Sequence, residues 1–277
     1  MDFSALSRRF SAVFAALSGT VFAQILALSL RERLENAGAH EAAYLLPQAL
    51  YPLLNLLLLW GCLRIVKVDL RPQIRIRTLK IAEFLPWLGV FAGVCGGLNF
   101  LSDRLFPAEG TFLPEGPLQT VVWIVAVGIL TPICEEILCR ATLCCPQMRH
   151  TALLSAGVFA VLHLSPAALP FAFGAGLILA LCYLRTGNFL YPMLLHILNN
   201  LWALLFRLGS AAGWPAVASD GANLFWVIVA LPCAWILFRR RTTEEKAPSV
   251  FPMLLRNSAF WIFAGVYGFL ILWQIFF

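Results

Sequence analysis

Charge is what this chain has least of. Of its 277 residues only 12% are charged, 61% are hydrophobic, and the mean hydropathy is +0.83. A soluble domain is about 25% charged and about 45–50% apolar. The shortage excludes an ordinary soluble fold, and no polar stretch is long enough to make a separate soluble domain. The helical H-E-x-x-H spacing of zinc proteases is also missing. His40-Glu41 begins it, but Tyr44 stands where the second histidine belongs. There are eight cysteines but no paired C-x-x-C pattern. Cys62, Cys95, Cys134, Cys139, Cys182 and Cys233 lie within apolar runs, and Cys144 and Cys145 close one. Small buried thiols fit that placement better than disulfides do. No long internal repeat and no low-complexity tract occurs, which removes the symmetry common in transporters.

What the chain has instead is apolar runs. A membrane-crossing helix needs about 20 such residues. Nine segments qualify as candidates, at roughly 10–30, 44–66, 82–101, 118–143, 151–165, 170–185, 188–206, 222–238 and 259–277. The fold class expected is all-α: a polytopic membrane helical bundle of about eight or nine transmembrane segments, forming one membrane domain over residues 1–277. The fifth and sixth segments are short, with Pro166 and Pro170 breaking the helix between them, and read as a tight hairpin. Ser7-Arg8-Arg9-Phe10 before an apolar run is similar to a signal peptide, but the run to Leu30 is too long for one and reads as a retained first helix.

The net charge of +6 is spread as topology would have it. Arg8 and Arg9 precede the first segment. Lys67, Arg71, Arg75, Arg77 and Lys80 fill the second connection, and Arg239, Arg240, Arg241 and Lys246 precede the last segment. The third connection has Asp103, Glu109 and Glu115 against Arg104 alone. The positive-inside rule then puts the N-terminus in the cytoplasm and the C-terminus outside. The location expected is a bacterial inner membrane. The basic residues call for no nucleic-acid partner. Gly93, Gly96, Gly97, Gly174 and Gly176 suit close helix packing in lipid.

Against this background three polar groups stand out. Glu135, Glu136 and Arg140 sit within the fourth run, where each ionisable group costs roughly 2.5–3.5 kcal/mol to insert and so marks a functional site. Phe159-Ala160-Val161-Leu162-His163 ends the fifth, and His196-Ile197-Leu198-Asn199-Asn200 lies in the seventh. Glu136 and Arg140 are four apart and can pair on one helix face. Glu135 is rotated from Glu136 by about 100°, so one carboxylate can be structural while the other stays free. His196 and Asn200 project together. At about 1.5 Å per residue, Glu135 and His196 lie roughly 12 Å, His163 roughly 17 Å and Asn200 roughly 18 Å from the basic end. Groups at one depth on three segments imply one buried site.

A carboxylate and a histidine can activate water as general bases. A histidine and an asparagine can donate hydrogen bonds to a developing oxyanion. Together they suit hydrolysis of an acyl bond by water, with no serine or cysteine nucleophile. Glutamate plus two histidines could alternatively hold zinc.

At these residues the sequence resembles a known family. Glu135-Glu136-x-x-x-Arg140, Phe159-x-x-x-His163 and His196-x-x-x-Asn200 are similar, in order, to the motifs of the CPBP family (CAAX prenyl endopeptidases and bacteriocin-processing or immunity proteins, also called Abi). The likeness covers about 118–206, expected to be the catalytic core helices. It implies a glutamate-type intramembrane endopeptidase without a cofactor. Glu135 and His163 would activate water, His196 and Asn200 would form the oxyanion hole, and Glu136 and Arg140 would support them. The implied partners are the lipid bilayer and a membrane-associated protein or peptide substrate: a C-terminal anchor, a prenylated tail or a leader peptide. The alternative is a non-catalytic membrane immunity or chaperone-like protein that retains the polar core.

Overall fold

The structure, a computed structural model, describes residues 3–105, 116–239 and 247–276. Glu109, Glu115, Arg240, Arg241 and Lys246 fall outside these, as do the side chains of His40, Glu41 and Tyr44. Apart from one isolated bridge between Arg149 and Ser249, regular structure among the described residues is helical. All nine expected segments reappear as helices. They are α1 (Phe3–Asn36), α2 (His40–Ile65), α3 (Ile81–Leu105), α4 (Pro117–Ala141), α5 (Thr151–Leu162), α6 (Leu169–Thr186), α7 (Leu190–Ala211) and α8 (Ala216–Phe238), with α9 (Phe251–Leu255) a short turn before α10 (Ser258–Phe276).

Among the described residues six helices are long and apolar enough to cross a membrane: α1, α3, α4, α6, α8 and α10. The others depart from the sequence expectation for physical reasons. α7 carries His196, Asn199, Asn200 and Arg207 along its length. Only the stretch Leu50–Ile65 of α2 is strongly apolar. α5 has 12 residues, about 18 Å of helix, short of an apolar core about 30 Å thick. Pro166 lies in the turn after it, whereas Pro170 sits in the first turn of α6, where its missing N–H costs nothing. So the hairpin expected of segments five and six is one short helix followed by one of spanning length.

Two packed groups flank α4 and α7. α1 lies along α2 and α10, and their buried side chains (Phe10, Phe14, Leu17, Phe263, Tyr267) join those of α5. α3 lies along α8 and α6. The α3–α8 contact needs glycine: a Cβ on Gly93 would meet the Trp226 carbonyl oxygen at 2.6 Å. α8 and α10 bury only 6% and 11% of their most apolar stretches. Ile228, Leu231, Trp235, Leu272 and Trp273 instead face outward, as in a helix solvated by lipid. The chain is an integral membrane protein. All eight cysteines are free thiols.

The even-numbered connections gather at one end. Phe189 N–H donates to Arg75 O, and Asn188 bonds both backbone groups of Arg77. Arg149 N–H donates to Pro248 O and Val250 N–H to Arg149 O. Asn257 Nδ2 donates to Ser11 Oγ near the start of α1. At the other end Arg104 pairs with Asp220 at 3.1 Å, joining α3 to α8. The alternation of sides read from the charges therefore holds among the described residues.

Candidate active site

α4 is irregular where the acidic pair sits. Ile124–Leu130 and Ile137–Ala141 are π-helical, and the six residues Thr131–Glu136 between them are α-helical. Pro132 lacks the N–H that an α-helix would bond one turn back, which favours a wider turn on its N-terminal side. A wide turn frees carbonyl groups, and α7 uses one: Asn200 Nδ2 donates to Val127 O at 2.9 Å.

The polar chain starts at Arg140, which is fully buried. Its Nη1 lies 3.2 Å from Glu136 Oε1, its Nη2 donates to Gly176 O at 3.1 Å, and its guanidinium sits 4.6 Å from the centre of the Phe159 ring. The Nη1 contact is ionic and not an aligned hydrogen bond. Gly176 makes this possible, because a Cβ there would press on Phe159 and on the backbone of Ala156 at 3.0–3.1 Å. Glu136 is fully buried too, and its Oε1 also meets His196 Nδ1 at 2.9 Å. As counter-ion to Arg140 the carboxylate can only accept, so His196 Nδ1–H donates and the ring is fixed. His196 Nε2 then faces Glu135 Oε2 at 3.5 Å.

Glu135 differs from Glu136 in having 23% of its side chain exposed. It lines a cavity of about 130 Å³ together with His163, Cys134, Thr131, Leu138 and Leu162. His163 follows the last residue of α5. Its Nδ1–H donates to Phe159 O at 2.8 Å, since a carbonyl can only accept, and this leaves the Nε2 lone pair free to act as a base. Leu164, immediately after, takes φ +50°, the left-handed region, which turns the chain away from the helix axis.

The structure thus joins Arg140, Glu136, His196 and Glu135 in one run of contacts, with Glu135 and His163 on one cavity. Asn200 lies one turn beyond His196 on α7, bonded to α4. Sequence reasoning missed the reach of Phe159, whose ring stands edge-on to both His163 (4.8 Å) and His196 (5.4 Å). It also missed the α1 and α2 residues on the cavity wall: Thr20, Gln24, Tyr51 and Asn55. Their signal was present as polar pairs four apart in apolar helices. No group of three or more metal-ligating side chains occurs among the described residues.

Residues 117–202 match the family model described as type II CAAX prenyl endopeptidase, Rce1-like. The match spans all three motifs and agrees with the family read from them. The matched segment, under a third of the chain, is similar to CAAX-type proteases at the family level. No curated protein and no solved structure matches the chain.

Proposed function

We propose that this chain, with its prenyl-endopeptidase segment, is an intramembrane endopeptidase that uses Glu135 and His163 to activate water. The observation that carries the reading is the cavity shared by these two side chains, backed by the Glu135–His196–Glu136–Arg140 contacts. A water in the cavity gives a proton to Glu135 while His163 Nε2 accepts its second hydrogen. The water oxygen bonds to the scissile carbonyl carbon. The oxyanion takes hydrogen bonds from His196 Nε2–H and from the second N–H of Asn200 Nδ2. As the C–N bond breaks, Glu135 returns the proton to the leaving amine. Glu136 holds the His196 ring in register, and Arg140 holds Glu136. No step needs a cofactor.

The substrate proposed is a membrane-associated protein or peptide: a prenylated tail, a C-terminal anchor or a leader peptide. The basic end is proposed to face the cytoplasm of a bacterial inner membrane, because the basic connections gather there. The test uses purified protein in proteoliposomes and a fluorogenic farnesylated CAAX-type peptide. Glu135→Ala and His163→Ala are expected to lower kcat by about 10²–10⁴-fold, the usual worth of a positioned general base. EDTA is expected to leave the rate unchanged. Undiminished cleavage by Glu135→Ala would refute the proposal and favour the non-catalytic alternative, while loss on chelation would favour zinc.

A further inference from the structure

The cavity that holds Glu135 and His163 has a second wall, built from helices outside the family-matched residues. Thr20 and Gln24 of α1 and Tyr51, Pro52 and Asn55 of α2 line it. Residues 20 and 24, and 51 and 55, are each four apart, so each pair presents on one helix face. Polar side chains in apolar helices call for a reason. Within the fold, three of the four have one. Thr20 Oγ1 donates to Leu17 O at 2.7 Å and meets the Tyr267 hydroxyl. Gln24 Nε2 donates to Tyr51 Oη at 2.9 Å. Asn55 is only half satisfied: it is 5% exposed and its side chain hydrogen-bonds the Tyr51 hydroxyl, but its Oδ1 has no hydrogen-bond partner among the described residues.

Buried polar atoms are almost always bonded. An amide oxygen can only accept, so what it lacks is a donor. The His163 Nδ1–H already donates to Phe159 O, and a peptide brings donors of its own in its backbone N–H groups. A trans peptide unit points its C=O and N–H in opposite directions. A chain bound between the walls can therefore turn a carbonyl toward His196 and Asn200 while an N–H meets α2. We propose that Asn55 is a substrate-binding residue, its Oδ1 accepting a backbone N–H beside the scissile bond, and that α1 and α2 form the wall gripping an extended peptide regardless of its side chains. The inference rests on the endopeptidase reading above.

The test needs Asn55→Leu, which removes the acceptor at similar volume, and Asn55→Ala. Folding is checked by the thermal unfolding midpoint in detergent. With the farnesylated fluorogenic peptide, both variants are expected to raise KM about tenfold, the worth of one such hydrogen bond, with kcat changed less than about threefold. Depsipeptide versions of the probe, with an ester replacing one amide at each non-scissile position near the cut, remove single N–H donors without adding bulk. One such ester is expected to raise KM about tenfold in the native protein and less than about twofold in Asn55→Leu, since the partner is already gone. An unchanged KM in Asn55→Leu, or equal ester penalties in both proteins, overturns the inference. Should neither variant fold, an ester series that leaves KM flat in the native protein overturns it too. Cleavage that survives Glu135→Ala would instead strike at the endopeptidase reading, so the two failures are separable.

Discussion

At the scale of single residues, two neighbouring carboxylates do different work because their surroundings differ. Glu136 is enclosed and bonded to two partners, whereas Glu135 keeps an open side toward the cavity. Removing the partner of a buried charge costs about 3–5 kcal/mol. Arg140→Ala is therefore expected to destabilise the protein by about that much, seen as a lowered thermal midpoint in detergent. Glu135→Ala is expected to leave the midpoint nearly unchanged while removing cleavage. The Glu136–Arg140 pair was legible in the sequence, because four-residue spacing on a helix is local information. The approach of the Phe159 ring to Arg140 and His196 was not, because those contacts come from other helices and no spacing encodes them. For Asn55 the four-residue spacing from Tyr51 was legible, but not that its oxygen is left without a donor.

Among elements, the two π-helical stretches of α4 matter most. Helical arithmetic assumes about 3.6 residues per turn, and the wide turns on either side of Glu135-Glu136 alter which faces 124–130 and 137–141 present. Pro132 lies between the two stretches, and Asn200 of α7 bonds a carbonyl freed by the first of them. The existence and order of all nine segments were readable from apolar length. What was not readable was that α5 stops after 12 residues and that α1 starts early enough to include Arg8 and Arg9. The α5–α6 contact supplies a further prediction. Gly176→Val forces a side chain into Phe159 and the Ala156 backbone. Overpacking of this kind costs about 1–3 kcal/mol, so a lower thermal midpoint is expected. Cleavage should fall with it, since Phe159 borders both imidazoles.

Over the whole molecule, the charges were the clearest text in the sequence. They sorted the connections into two sets, and hydrogen bonds between 75–77 and 188–189, and between 149 and 248–250, tie one set together. A short epitope inserted after Gln73 or after Ser249 is expected to be reached by antibody from the same side of sealed vesicles, and one after Gly213 from the opposite side. An epitope at 249 on the side of the one at 213 would contradict the arrangement. How helices far apart in the chain pair, α1 with α10 or α3 with α8, could not be read, because apolar faces in lipid carry no address beyond small residues such as Gly93.

The outward faces of α8 and α10 have a practical consequence. Trp235 and Trp273 stand exposed on helices that bury little of their most apolar stretches. Brominated acyl chains should therefore quench part of the tryptophan emission of the unlabelled protein, so that exchange of the lipids around it can be followed by fluorescence alone.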